Sequence, residues 1–425
     1  MGGRALLFLV VGFSMIYLVL GQNFGSISNQ AVTNMTNYYS TSVAHNIAES
    51  GANLAANQIF LNGFWQAGYN NIKLFNNPNS SLNVSVQVID TFKNIKVITS
   101  TATYNGITSV VKVTLQPSHF SKFAYFSISE NGVWWTNGDT VSGPFHTQDY
   151  LNSYGHPVFL GPSTSTLKGI NYYTGNKKND SPVIVGTFST GVNIPIPSNG
   201  ISNLDSLAKI GGAVFTGMDS VYLNFKRDSI TYTTIRDSLN KSGKKVGVVT
   251  TVKTVPANTF APNGVIFAEN AMLRIKGVVK GQFTVGSSYN STSTVKGSIY
   301  IDSSIVYNTD PRVNPSSTDL LGIAAQNYVF VADNQNNSNN VYIDAAIYAQ
   351  NGGFGAQDYN NGQKRGTIYL LGGITQSIRQ PVGIINGGYV TSGYNKNYTY
   401  DNRLLLSVPP SYPSTGGYEI ISWYE

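Results

Sequence analysis

Apolar residues run without a charge from Ala5 to Leu20, broken only by Gly12 and Ser14, and then recur every three or four positions for some forty residues more. With Gly21 to Phe24 the first run reaches about 20 residues, the length that crosses a bilayer at about 1.5 Å per residue. This pattern predicts a transmembrane anchor over residues 1–24. Its lipid-facing side chains would be Ala5, Leu6, Leu7, Phe8, Leu9, Val10, Val11, Phe13, Met15, Ile16, Tyr17, Leu18, Val19 and Leu20. A cleaved secretory signal would need a shorter apolar core and a small-x-small site, but Gly21-Gln22-Asn23-Phe24 follows, so the expectation is an anchor. Beyond it Val32, Met35, Tyr39, Val43, Ile47, Gly51 and Ile59 keep a helical period with no proline before Pro78, which predicts that the same helix continues over 25–65.

Period two then replaces period 3.6. Leu82, Val84, Val86 and Val88, then Ile95 and Val97, then Val111, Val113 and Leu115 alternate with polar residues, and Asn105-Gly106 supplies a turn. A small antiparallel sheet is expected over 66–119. From 120 to 425 short apolar runs repeat between Gly, Asn and Ser turns, as at Val265 and Phe267, Leu273 and Ile275, Phe283 and Val285, and Ile299 and Ile301. That spacing predicts a parallel β-solenoid, with a β-sandwich as the alternative. A short helix over 205–210, capped by Ser202 and followed by Gly211-Gly212, would lie in an inserted lobe near 200–255. The fold class is therefore mainly β with one long N-terminal α-helix.

Charge changes the picture in the helix. Arg4 and the amino terminus carry the only positive charge before the span, and the next charged residue is Glu49, so the N-terminus is expected in the cytoplasm and the body outside it. A lone exposed helix usually carries charged pairs, and an uncharged one invites neighbours. Ala44, Ala48, Gly51, Ala52 and Ala55 form a small-residue stripe that lets a packing partner approach closely. The partner is either another helix or the chain's own β-body.

Charged residues are only 11% of the chain, while Gly (43) and Tyr (27) are abundant, a composition that suits β-rich extracellular proteins. The net charge of +7 is spread over isolated residues and pairs such as Lys177-Lys178, which does not make a nucleic-acid surface. With no cysteine there is no disulfide frame, thiolate metal site or cysteine nucleophile.

The uncharged start, the long helix and the segment Ala44-His45-Asn46-Ile47-Ala48-Glu49-Ser50-Gly51-Ala52 resemble the N-terminus of type IV pilin-like proteins, especially PilX-type minor pilins. Asn137-Gly138-Asp139-Thr140-Val141-Ser142-Gly143-Pro144-Phe145-His146-Thr147, followed by Gly155-His156-Pro157-Val158-Phe159, is similar to a segment common in large PilX-like envelope proteins, and 343–383 with 418–425 resembles their shared C-terminal end. The resemblance implies prepilin cleavage after Gly3, leaving Arg4 as the first residue. It also implies partners among other pilin-like subunits and a place in the bacterial cell envelope, anchored in the inner membrane. Such pilins carry a glutamate at the fifth mature position, where this chain has Phe8, and a bulky subunit without that glutamate resembles the tip-type members.

Chemistry is sparse. His45, His119, His146 and His156 have no metal-ligand spacing, and Asp302, Asp310, Asp319, Asp333 and Asp344 lack the alternating pattern of a calcium loop. No catalytic residue, metal or cofactor is expected. The reading is a structural or assembly component, minor or tip-like, of a type IV pilus-like filament. The alternative is a surface adhesin or glycan binder, should Trp134-Trp135 or Tyr394 to Tyr400 stack on sugars rather than within strands. A polysaccharide-processing enzyme comes third.

Overall fold

The computed structural model describes residues 2–74, 77–90, 94–167, 169–240, 244–290, 295–386 and 389–425. They form two compact units, 1–117 with 417–425, and 118–416.

The first unit is built on one helix, α1 (Gly2–Leu61), which at 60 residues is about 90 Å long. Residues 3–39 are exposed on every face. From Ser40 one stripe turns inward: Ser40, Ala44, Ile47, Ala48, Gly51, Ala52, Ala55, Ala56 and Ile59 are buried, a spacing of three and four that keeps one face of a 3.6-residue helix on a single surface. That surface is an antiparallel sheet of β1 (Tyr69–Ile72), β2 (Ser80–Asp90), β3 (Ile95–Tyr104) and β4 (Ile107–His119), closed by the C-terminal strand Ser414–Tyr424 beside β4. Leu82, Val84, Ile98, Ala102, Val111, Val113 and Leu115 meet the helix, the inward half of each alternating run. Gly51 sits where helix and sheet come closest: a Cβ there would lie 2.5 Å from Ser100 Oγ and 2.6 Å from Leu82 Cδ1.

Among the described residues the second unit has one large mixed sheet, with antiparallel pairings at 220–256 and 383–399, and two small parallel sheets, Thr140–Val141 with Val158–Phe159 and Val183–Ile184, and Leu151–Ser153 with Ile170–Tyr172. Its spine is a ladder of parallel segments, in spatial order Phe188–Thr190, Ser163–Ser165, Phe145–Thr147, Tyr125–Ser129, then the last parts of Lys364–Ile378 and Val341–Ala349, then Leu320–Ala325, Gln282–Ser287, Val265–Ala268 and Ala213–Phe215. Parallel ladders of this kind are the pairing that stacked turns of a coil produce. The chain enters the ladder in the middle at Tyr125 and stacks outward to Phe188. It then crosses to the far end at Ala213 and stacks back to Ile374, which pairs with Tyr125. Side chains alternate across the ladder. Ile266, Val285, Ile323, Ile347, Ile374, Tyr125 and Phe145 fill the interior. Their neighbours Phe267, Ala324, Tyr348 and Phe126 face a second core.

That second core is covered by helix α2 (Gly200–Gly211) through Ile201, Leu204 and Ala208. Ser202 is not its cap as expected: Asn199 holds the cap position, and Ser202 lies inside the helix with its hydroxyl donating back to Asn199 O at 3.0 Å. Nor is 200–255 set apart as a lobe. Its strands Ala213–Phe215 and Ser220–Arg227 continue the parallel ladders against Val265–Ala268 and Met272–Val279, because their apolar residues need the same interior. Only the hairpin of Ser229–Leu239 and Lys245–Pro256 extends beyond the ladders.

Candidate functional site

Two features outside ordinary packing stand out, one in each unit. The first is the exposed part of α1. Leu6, Phe8, Phe13, Ile16, Tyr17 and Leu18 are all more than half exposed, as are Val32, Met35 and Tyr39 beyond them. The helix is long and apolar enough to cross a membrane. Gly3 and Arg4 lie in its first turn. The expected helix-packing residues Ala44, Ala48, Gly51, Ala52 and Ala55 face the unit's own sheet, and Ser50, Asn53, Leu54, Asn57 and Phe60 are left on the outer face.

The second feature lies in the body, where the strand that opens the ladder, Tyr125–Ser129, rests on the strand that completes it, Lys364–Ile378. The segments that follow each strand bound a cleft of about 410 Å³. At its floor Arg379 Nη1 donates to Glu130 Oε2 at 2.6 Å, and both side chains are almost wholly buried. Glu130 Oε2 also accepts from Trp135 Nε1 at 3.1 Å, and its other oxygen accepts from Ser127 Oγ. The guanidinium lies 3.9 Å from the centre of the Trp135 ring, a cation–π contact in a desolvated place. Burial alone would lower the Arg379 pKa, but Tyr125, Glu130 and Asp139 outweigh it and the net shift is upward, so the cation persists. Burial likewise pushes the Tyr125 phenol well up.

A second pair stands beside the first. Lys396 Nζ is 2.8 Å from Asp139, whose Oδ2 also accepts from the Thr136 amide at 2.9 Å. Burial lowers the Lys396 pKa, and Arg379 adds to this while Asp139 opposes it. Both carboxylates are thus engaged by cations. Trp135 bridges in parallel to Ser153, and strand alternation points Trp135 inward and Trp134 to the rim. On the following turns Tyr154 and Tyr173 join Trp134, with centroids 4.3 Å apart between the tyrosines and 5.1 Å between Trp134 and Tyr173.

The motif from Asn137 to Phe159 acquires physical content here. Gly155 adopts φ +77° with Asn137 against it, and Asn137 Oδ1 accepts from the His156 amide at 2.6 Å. Gly143 leaves room for the Tyr400 ring, since a Cβ would stand 2.6 Å from it. His146 and His156 do not meet: His146 Nδ1 lies 2.7 Å from Thr164 Oγ1, and His156 Nδ1 2.8 Å from Ser181 O. The aspartates considered for calcium are engaged elsewhere, Asp302 by Arg274, Asp310 by Arg312, Asp333 by Arg365, Asp319 by the amides of Gly281 and Thr309, and Asp344 by the amide of Tyr307. Among the described residues no cluster of three or more His, Asp or Glu is placed to hold a metal.

Fold and sites together define a β-rich body joined to a sheet-backed helix whose first ten turns or so stand free of the chain's own packing. No family model matches the chain, and no curated protein does. Among solved structures, the crystal structure of the competence-associated pilin ComZ from Thermus thermophilus is similar over 84% of this chain and 86% of that one, with a TM-score of 0.41 and 11% identity.

Proposed function

We propose that the chain is a structural component of a type IV pilus-like envelope filament, of the minor or tip-like kind, held in the membrane and then among other subunits by α1. The observation that supports this most directly is the division of the helix. Residues 40–59 present one buried stripe to the sheet, while residues 3–39 are exposed all round and hold no charged residue after Arg4. The apolar run from Ala5 to Leu20 has no stable place in water, and the uncharged stretch beyond it lacks the charged pairs that a lone exposed helix usually carries. A bilayer covers the first 20 residues or so, and helices of neighbouring subunits cover the remainder. Prepilin cleavage after Gly3 belongs to the same reading, and Phe8 in place of an acidic residue favours the tip position.

The test is co-purification with filaments sheared from the producing cells. The full chain is expected in the sheared fraction with Arg4 as its N-terminal residue. A variant lacking residues 5–38, which keeps the sheet-packed part of the helix, is expected to be absent from it. Filament association that survives this deletion would remove α1 as the assembly element.

A further inference from the structure

The cleft between the opening and completing strands of the body has features that filament membership does not call for. Three large rings stand at its mouth on successive turns: Trp134 is half-buried, and Tyr154 and Tyr173 are 47% and 54% exposed. Rings needed only for packing would be drawn inward, as Trp135, Tyr125 and Phe145 are. Behind the rim the wall is polar, and its charges cancel, with Glu130 against Arg379 and Asp139 against Lys396. The Tyr398 phenol lines the cleft and makes no hydrogen bond to a described residue. Asn395 adds an exposed amide.

We propose that this cleft binds an uncharged saccharide segment, stacked on Trp134, Tyr154 and Tyr173 and hydrogen-bonded through its hydroxyls to Tyr398, Asn395 and Lys396. The chemistry selects the class. A sugar ring offers an apolar C–H face to an aromatic ring and hydroxyls at its edge, which matches a site with rings at the rim and donors and acceptors behind them. An anion would have to compete with a carboxylate already held by each cation, and a buried ion pair loses heavily when one partner is drawn away. A purely apolar ligand would cover Tyr398 and Asn395 without satisfying them. The volume of about 410 Å³ lies within the range of small-ligand clefts and admits only a short stretch of a longer chain. Binding here is independent of whether α1 assembles into a filament.

The test uses the full chain in a detergent without a sugar headgroup. Maltohexaose, cellohexaose, mannohexaose and hexa-N-acetylchitohexaose are titrated against intrinsic tryptophan fluorescence and checked by calorimetry, beside hexagalacturonate and a proline-rich peptide. Saturable binding of at least one neutral hexamer is expected, weakened about five- to tenfold in Trp134→Ala and in Tyr173→Ala at unchanged melting temperature. Tyr342→Ala, at an exposed tyrosine away from the cleft, should leave it unchanged. The proposal is overturned by no binding to any neutral hexamer, by equal affinity in the rim variants, or by tighter binding of hexagalacturonate or the peptide.

Discussion

Glu130 and Arg379, 249 residues apart in the chain, meet at 2.6 Å with both side chains almost wholly out of water. The contact exists because the strand that opens the body's ladder lies against the strand that completes it. Removing one partner leaves the other charge buried and unpaired, which typically costs about 3–5 kcal/mol. Arg379→Met should therefore lower the unfolding free energy of the full chain by roughly that amount in denaturant melts. Glu130→Gln combined with Arg379→Met should cost less than Arg379→Met alone, since the uncompensated charge is then absent. A double variant as unstable as the single one would mean that packing around the guanidinium, and not the charge, carries the loss.

Gly51 marks the closest approach of helix to sheet. An alanine would raise helix propensity, yet its methyl would press on Ser100 and Leu82, and overpacking of this kind costs about 1–3 kcal/mol. Gly51→Ala is expected to lower the melting temperature of the first unit. Asn53→Ala, on the outer face, should change it by no more than about 0.5 kcal/mol equivalent. Thermal melts followed by circular dichroism separate the two.

Asp344 and His146 give the body opposing responses to acid. Burial pushes Asp344 up to about 6 and His146 down to about 4. As pH rises from the ordinary carboxylate value to about 6, the unfolded chain releases the Asp344 proton before the folded chain does, so this contribution to stability falls with rising pH. As pH falls from about 6.5 to 4, the unfolded chain protonates His146 first, so that contribution falls with falling pH. Each effect is on the order of 3 kcal/mol across its window. Asp344→Asn is expected to stabilise the chain at pH 7 and to have little effect at pH 4. His146→Gln should make the acid-side loss shallower, and melting temperatures from pH 4 to 7 check both.

The large outlines of this fold are legible because they rest on period. The uncharged helical run, the alternation from Leu82 to Leu115, and the short strands around Val265 to Ile301 each declare their element through neighbours a few residues away. What pairs with what is not local. The closing residues Tyr418 to Tyr424 look like one more strand of the body, yet they join the small sheet beside β4, some 300 residues earlier. Lys396 and Arg379 read as scattered cations because the acids that hold them, Asp139 and Glu130, are brought up only by the ladder. Trp134-Trp135 is visible as a pair, but which ring enters the core depends on strand register, and register follows from the bridge to Ser153. The polar residue Asn199 displaces Ser202 as the cap of α2 because Gly200 is already helical.

The end of α1 offers a test of shared acceptors. The Gly63 carbonyl accepts from Lys96 Nζ and from Tyr418 Oη, the latter at 3.0 Å, and the lysine also lies 5.4 Å from the centre of the Tyr418 ring. Lys96 is 1% exposed, and burial lowers its pKa, so the cation is held there by this oxygen and the ring. Asn94 Nδ2 donates to Tyr418 Oη at 2.7 Å and positions the phenol for its own donation. A carbonyl has two lone pairs, and either donor alone keeps it satisfied. Lys96→Met and Tyr418→Phe should each cost only about 1 kcal/mol, within the range of a single hydrogen bond. Together they leave the half-buried carbonyl without either donor, which adds a desolvation penalty of about 1–3 kcal/mol that neither single variant incurs. A double-mutant cycle measured by urea unfolding is therefore expected to give a loss larger than the sum of the two. An additive result would mean that water reaches the Gly63 oxygen once either side chain is removed.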